Sequence, residues 1–586
     1  MPQGIAITGK GIVCAIGSDA SSVLVALQRQ ECGIGQMRYL SSCHAELPVG
    51  EVRMSNDEMK AQLGLRADID YSRTALIGAI ALRQAMSEAG VTAASLSGRK
   101  VVFVSGTTVG GMDVTERHFK SASLCAEDTS YVIHHDCGSN TREIASICGL
   151  DGAFTTISTA CSSALNAIIL AARMLLTGEA DVVIAGGTEA LSRFHLNGFN
   201  SLMILDKEPC KPFDARRRGL NLGEGAAYVV VERSADVHRR GATVQGYIGG
   251  WGNRCDAYHQ TATSEGGEGA YLAMSDAIRM AGIRPEDVDY VNAHGTGTPN
   301  NDRSESAAMR RLFGESLPPV SSTKSFTGHT TSASGGIETV VCLLAMQHRF
   351  IPANLGWSEA SEGCILPSRG ETDKSLHKVL CNSFGFGGND SSLLLCDEEV
   401  LLPEVALRDV AVASEVEVTA DDSLDAVRQY VPPMELRRMS KQIKAAMLTS
   451  MRTLELAGID TPDAIVIGTH YGMLEQGEQI LSHLTGVGEE GLSPTLFMQS
   501  THNTIAGMLA IRLKCHGYNI TYSQEQQSMD WALAEARRLI AEGTARTVLV
   551  GVHDQCSAIF RELIRLAGLE EPALLYSKSV VLTAKQ

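Results

Sequence analysis

Residues 145–186 of this chain reappear, altered, at residues 510–551. Displacing the sequence by 365 positions aligns the two segments without a gap, and 12 of 42 positions are then identical. The matches include Ala145/Ala510, Gly152/Gly517, Ser163/Ser528, Arg173/Arg538, Gly178/Gly543 and Gly186/Gly551. Average composition would give about one match in fifteen. The apolar pattern agrees as well, as in Val183-Ile184-Ala185 against Val548-Leu549-Val550. A repeat of this kind implies one supersecondary unit used more than once.

The unit is α/β. Short β-branched runs such as Ile5–Thr8, Val101–Val104 and Val182–Ala185 alternate with helical stretches such as Thr74–Ala89 and Ala164–Leu176. The alternation predicts a layered fold with mostly parallel strands, and fully apolar strands predict a sheet covered on both faces. Near Glu398 the pattern breaks. The stretch 398–436 is more acidic, carries Pro403, Pro432 and Pro433, and reads as a connection plus the opening strand of another unit. The expected domains are therefore 1–398, with halves of about 1–240 and 241–398, and 399–586.

The 57 glycines predict many tight turns or close backbone approaches. A net charge of −17 with no basic stripe argues against nucleic-acid binding. The 15 cysteines form no CxxC pair, which argues against a disulfide framework or a structural zinc site and for reduced thiols. No apolar run reaches membrane-span length and the N-terminus lacks a signal pattern, so a cytoplasmic location is expected.

Four segments carry chemistry. In Ile157-Ser158-Thr159-Ala160-Cys161-Ser162-Ser163-Ala164 a strand-like run passes through small residues into a helical pattern. Cys161 then sits near a helix N-terminus, which favours thiolate. His294 and His329 each follow a strand-like run amid Gly and Thr, in Ala293-His294-Gly295-Thr296-Gly297-Thr298 and Lys324-Ser325-Phe326-Thr327-Gly328-His329. Neutral imidazoles can donate to a carbonyl or a developing enolate. The glycine run in Asn382-Ser383-Phe384-Gly385-Phe386-Gly387-Gly388 can expose amides for an oxyanion hole.

Together with Ile7-Thr8-Gly9-Lys10-Gly11, Pro212-Phe213-Asp214 and Leu222-Gly223-Glu224-Gly225, these motifs resemble the elongating β-ketoacyl synthases of the thiolase-like fold over residues 3–397. The resemblance implies a thiolase-like αβαβα fold with duplicated halves, plus a third, C-terminal half-domain. It implies decarboxylative condensation of an acyl thioester with malonyl-carrier protein, in fatty acid, polyketide or polyene synthesis. Cys161 is similar to the acyl-accepting nucleophile. His294 and His329 match the pair that supports decarboxylation, Lys324 and Glu338 the lysine and acidic residue associated with them. Thr296 and Thr298 match pantetheine contacts, and Phe384 lies in the same substrate-binding region. Phe386 matches the gating aromatic, whose amide with that of Cys161 would form the oxyanion hole. No metal and no bound cofactor are implied; phosphopantetheine would arrive on an acyl carrier protein. Two departures stand out. The glycine loop continues with Asn389-Asp390 rather than Thr-Asn, and Arg218 stands where an acidic residue is usual.

The repeat aligns Gln526 with Cys161, and no counterpart of His294 or His329 follows it. Residues 405–586 therefore resemble a catalytically dead N-terminal half, as in the chain-length-factor partners of aromatic polyketide synthases. The expectation is a homodimer, or a pseudo-dimer through this half, with Ser493–Met498 capping the acyl pocket of the first domain. Lys211, Arg216, Arg217 and Arg218 form a basic cluster suited first to internal ion pairs and second to an acidic carrier protein. The rival readings are a thiolase using Cys381 as a second acid/base, and a non-catalytic chain-length-factor-like partner or scaffold. Gly9-Lys10-Gly11 is too short a fragment for a dinucleotide loop.

Overall fold

The computed structural model describes residues 2–119, 134–405, 408–569 and 571–585. One strand order occurs three times. In the first unit it runs Ile5–Cys14, Gly225–Arg233, Val182–Glu189, Val101–Gly106, Ala153–Ile157. In the second it runs Gly246–Cys255, Asn389–Cys396, Lys378–Gly385, Tyr290–Asn292, Val320–Ser321. In the third it runs Val410–Thr419, Leu575–Ala584, Thr547–Gln555, Ala464–Gly468, Tyr518–Tyr522. The break near Glu398 precedes the third unit, whose first strand is Val410–Thr419.

Strand direction differs from expectation. In each unit the three strands on one side are parallel, while the first two neighbouring pairs are antiparallel. Helices cover both faces of the first unit, so its antiparallel strand Ile5–Cys14 is as fully buried as its parallel ones, whereas the outer strand Val410–Thr419 is largely exposed. Composition alone could not separate them.

The layers follow from which helices are apolar all round. Ser163–Leu176, SALNAIILAARMLL, is buried along almost its whole length, as a helix packed on every side must be. It lies with Ser334–His348 between the first and second units. Arg73–Glu88, capped by Ser72 accepting from the Ala75 N–H, covers the outer face of the first unit. Glu268–Met280 covers that of the second. The first two units therefore form α-β-α-β-α layers. Among the described residues no helix is long and apolar enough to cross a membrane.

The third unit docks edge to edge on the first. Tyr518–Tyr522 runs antiparallel to Ala153–Ile157 where Tyr522 meets Ile157. The Ser158 N–H donates to the Thr521 carbonyl at 2.9 Å and the Ser523 N–H to that of Thr156 at 3.0 Å. Behind this seam lies a buried ion network. Arg173 reaches Glu542 at 2.8 Å and the Tyr518 hydroxyl at 3.0 Å, and Arg538 reaches Glu179 at 2.7 Å. Glu535 pairs with both arginines. Arg173 and Arg538 are repeat-equivalent, so the third unit faces the first across a local pseudo-twofold.

Candidate active site

Cys161 stands where the strand Ala153–Ile157 turns, through Ala160–Ser162, into the helix Ser163–Leu176. Ala160 takes a positive φ of 54°, a conformation costly for a non-glycine residue and common at functional turns. Its repeat equivalent Glu525 has φ 48°, so the third unit keeps the turn while exposed Gln526 replaces the thiol.

The three residues singled out by the motifs converge. His329 Nε2 lies 3.0 Å from Cys161 Sγ, and His329 Nδ1 lies 3.0 Å from Ser334 Oγ. The His294 and His329 rings are 5.4 Å apart and nearly perpendicular. One ligand atom from each of Cys161, His294 and His329 falls within 4.8 Å of the others. All three side chains are buried.

Electrostatics amends the expected thiolate. Burial pushes the Cys161 thiol up to about 11, against the pull of Lys324 and of the Phe386 and Cys161 backbone N–H groups. Desolvation outweighs the helix terminus, so the resting thiol keeps its proton beside His329. Burial, then the charge of Lys324, holds both imidazoles well below the usual histidine range, so both are neutral. Ser334 can accept from or donate to Nδ1. In one tautomer Nε2 accepts the thiol proton; in the other Nε2–H supports the thiolate.

Lys324 pairs with Glu338, and both are buried. Burial raises Glu338 to about 7, with Lys324 opposing. Thr296, Thr298, Phe384 and Phe386 line, with Cys161 and the two histidines, a cavity of about 350 Å³. The N–H groups of Phe386 and Cys161 both face the sulfur. Cys161, His294, His329, Thr296, Thr298, Phe384 and Phe386 thus share one cavity, and the Lys324–Glu338 pair lies outside its lining.

Three contributors were missed. Glu305, on the helix Pro299–Phe313, accepts from the His294 and Gly295 N–H groups at 2.8 Å each, fixing the loop that carries His294. Its only signal was an acidic residue in the second turn of the helix that begins at Pro299. Asn503, from the third unit, donates to the Phe386 carbonyl at 2.8 Å. Asn389, one of the two departures, accepts from Ser162 at 2.6 Å and Asn166 at 2.8 Å and donates to the Asn519 carbonyl of the third unit. The unusual loop residue thus ties the nucleophile's helix to the extra unit. Asp390, beside it, is buried near Asp256 and Glu305 and held well above the usual carboxylate range, first by burial.

The expected cap is present in one residue. Phe497 packs on Phe199 and Phe194, at 5.3 and 6.2 Å between rings. It lies over Gly198, where a Cβ would sit 2.2 Å from the ring. Phe497 and Thr501 line a narrow apolar pocket that reaches Cys161. The basic cluster is largely consumed internally: Arg216 pairs with Asp214 at 3.1 Å, Arg217 with Asp302 at 3.5 Å, and Lys211 with Glu208. Cys381 lies in the core strand Lys378–Gly385, outside the lining of the catalytic cavity.

The N-terminal domain of β-ketoacyl synthases matches residues 3–237 and their C-terminal domain residues 245–358. A second β-ketoacyl synthase N-terminal domain matches residues 412–579. The chain is 35% identical to 3-oxoacyl-[acyl-carrier-protein] synthase 2 of Coxiella burnetii over 408 residues, covering 67% of this chain and 98% of that protein. The ishigamide ketosynthase/chain length factor is similar at 27% identity and TM-score 0.62, over 68% of this chain and 100% of its own. The PfaC keto synthase-chain length factor shares the fold over 99% of this chain and 78% of its own, at 16% identity and TM-score 0.79. The chain belongs to the β-ketoacyl synthase family.

Proposed function

We propose that the chain is a 3-oxoacyl-[acyl carrier protein] synthase whose active site lies in residues 1–398 and whose acyl pocket is completed by residues 399–586. The observation that carries this reading is the Cys161 thiol held 3.0 Å from His329 Nε2 with His294 beside it.

Cys161 sulfur attacks the acyl carbonyl, its proton passing to His329, while the Phe386 and Cys161 N–H groups receive the oxyanion. Collapse expels the pantetheine thiol, which takes up a proton, and leaves an acyl-Cys161 thioester. Malonyl-carrier protein then enters with its arm against Thr296 and Thr298, whose hydroxyls lie 2.9 Å apart. Neutral His294 and, in its Nε2–H tautomer, neutral His329 donate to its thioester oxygen, so loss of CO2 gives a stabilised enolate. The enolate carbon attacks the acyl group, forming the carbon–carbon bond and breaking the thioester; Cys161 leaves as thiolate and takes up a proton from solvent to return to the resting thiol. Burial, and after it the charge of Lys324 held by Glu338, keeps both imidazoles neutral.

The third unit supports a polyketide or polyene role over housekeeping fatty acid synthesis. It occupies the free edge strand of the first unit, so we read the chain as its own pseudo-dimer. The intact catalytic set speaks against a scaffold. For the carrier protein we favour a groove of about 530 Å³ lined by Tyr258, His259, Arg438, Met498, Arg512 and Lys514. It adjoins the catalytic mouth through Gln260, whose carbonyl accepts from the Gly387 N–H at 2.7 Å. Exposed Arg438 and Lys514 suit an acidic carrier.

Incubation with acyl-carrier-protein thioesters, read by intact mass, tests the reading. An acyl-sized gain that vanishes in Cys161→Ala is expected. Acylation that persists in that variant would overturn it.

A further inference from the structure

We propose that Cys43, His44 and Glu489 form a zinc site that staples the third unit to the catalytic domain. One ligand atom from each lies within 4.8 Å of the others. Thiolate, imidazole and carboxylate together suit Zn²⁺ among common divalent ions.

The second observation is how the ligands are held. Asn197, buried on the helix Arg193–Ser201, bridges two of them. Its Nδ2 donates to Glu489 at 3.0 Å, and its Oδ1 lies 3.1 Å from His44 Nε2. An imidazole that donates through Nε2 presents the Nδ1 lone pair to a metal. Ser42 also donates to Glu489. Polar partners that orient imidazole and carboxylate ligands in this way are characteristic of metal sites.

The third is charge. Glu46, Glu489 and Glu490 all face the Cys43 thiol. Glu46 lies 3.8 Å from His44 Nδ1 and can complete a tetrahedron. The cation paired with Glu46 among the described residues is exposed Lys207, at 3.8 Å. A divalent ion would neutralise this crowd.

The site also has a structural consequence. Cys43 and His44 belong to the first unit and Glu489 to the third. Asn197 sits on the helix that carries Phe194 and Phe199 into the acyl pocket, and Glu489 precedes Phe497 by eight positions. Zinc here would fix the two walls of that pocket relative to each other.

The test uses the full chain in a Cys161→Ala background, because Cys161, His294 and His329 could themselves hold zinc. Zinc competition against a chromophoric chelator should show one tight equivalent. Adding Cys43→Ser should abolish it, and Asn197→Ala should weaken it by about 10- to 100-fold. Cobalt in place of zinc should give a near-ultraviolet thiolate charge-transfer band that Cys43→Ser removes. Equal binding with and without Cys43, or no tight equivalent in the parent, would overturn the proposal. Far-ultraviolet circular dichroism of each variant separates lost ligands from lost fold.

Discussion

Replacing Phe497 with alanine tests directly whether the third unit shapes the catalytic pocket. The ring is 3% exposed and packed on Phe194, Phe199 and Gly198. Its loss should cost about 3–5 kcal/mol of stability, the usual range for a buried phenylalanine. The vacated space adjoins Cys161, so longer acyl chains gain burial there. Each buried methylene contributes about 0.8 kcal/mol, so one further two-carbon unit gains about 1.6 kcal/mol, or roughly 15-fold in selectivity. The assay is competition among acyl thioesters of increasing length, read as the intact-mass distribution of Cys161 adducts. The optimum should move to longer chains by at least one two-carbon step. Phe497→Leu, which keeps most of the apolar volume, should fold well and shift less. An unchanged length distribution in a folded Phe497→Ala protein would refute the pocket assignment.

Glu305→Gln should slow malonyl decarboxylation about 10- to 100-fold while leaving Cys161 acylation nearly intact. It weakens two backbone hydrogen bonds to the His294 loop, worth about 0.5–1.5 kcal/mol each, and leaves the nucleophile untouched; single-turnover kinetics of the two half-reactions separate the effects. Arg173→Met should destabilise the seam by about 3–5 kcal/mol in denaturant unfolding, because buried Glu535 keeps only Arg538 as a cationic partner and half-buried Glu542 loses its own. Burial alone would lower His470, yet Asp136, 3.3 Å across the seam, holds it above the usual histidine range. A raised folded-state pKa stabilises below about pH 6.5, and that contribution fades as pH rises through the raised value. His470→Gln should therefore cost more stability at pH 6 than at pH 9. Reversing Arg438 and Lys514 to Glu should raise KM for carrier-bound substrates about tenfold, with salt sensitivity lost, and leave small-molecule thioesters unaffected. Equal effects on both substrate kinds would remove the groove from carrier docking.

Much of the site is legible because catalysis demands particular residues in short local settings. Cys161 at a strand-to-helix turn, and His294 and His329 after strand-like runs amid Gly and Thr, are contiguous patterns, and they converge in space. Glu305 escaped notice because acidic residues in the first turns of helices are ordinary. What distinguishes it is two backbone N–H groups ten and eleven residues upstream. Asn503 and Asn389 escaped because their partners lie more than a hundred positions away.

By itself the sequence pointed to the repeated α/β unit, the placement of Gln526 opposite Cys161, and Cys161, His294 and His329 as the candidate site residues. Those follow from local periodicity and from residue chemistry, which need no knowledge of neighbours. Only the tertiary structure decided the strand directions, the protonated state of the Cys161 thiol, the internal pairing of the basic cluster and the reach of Phe497 into the pocket beside Cys161. Each of these depends on desolvation or on contacts between distant segments, and burial is a property of the assembled layers rather than of any one stretch of chain.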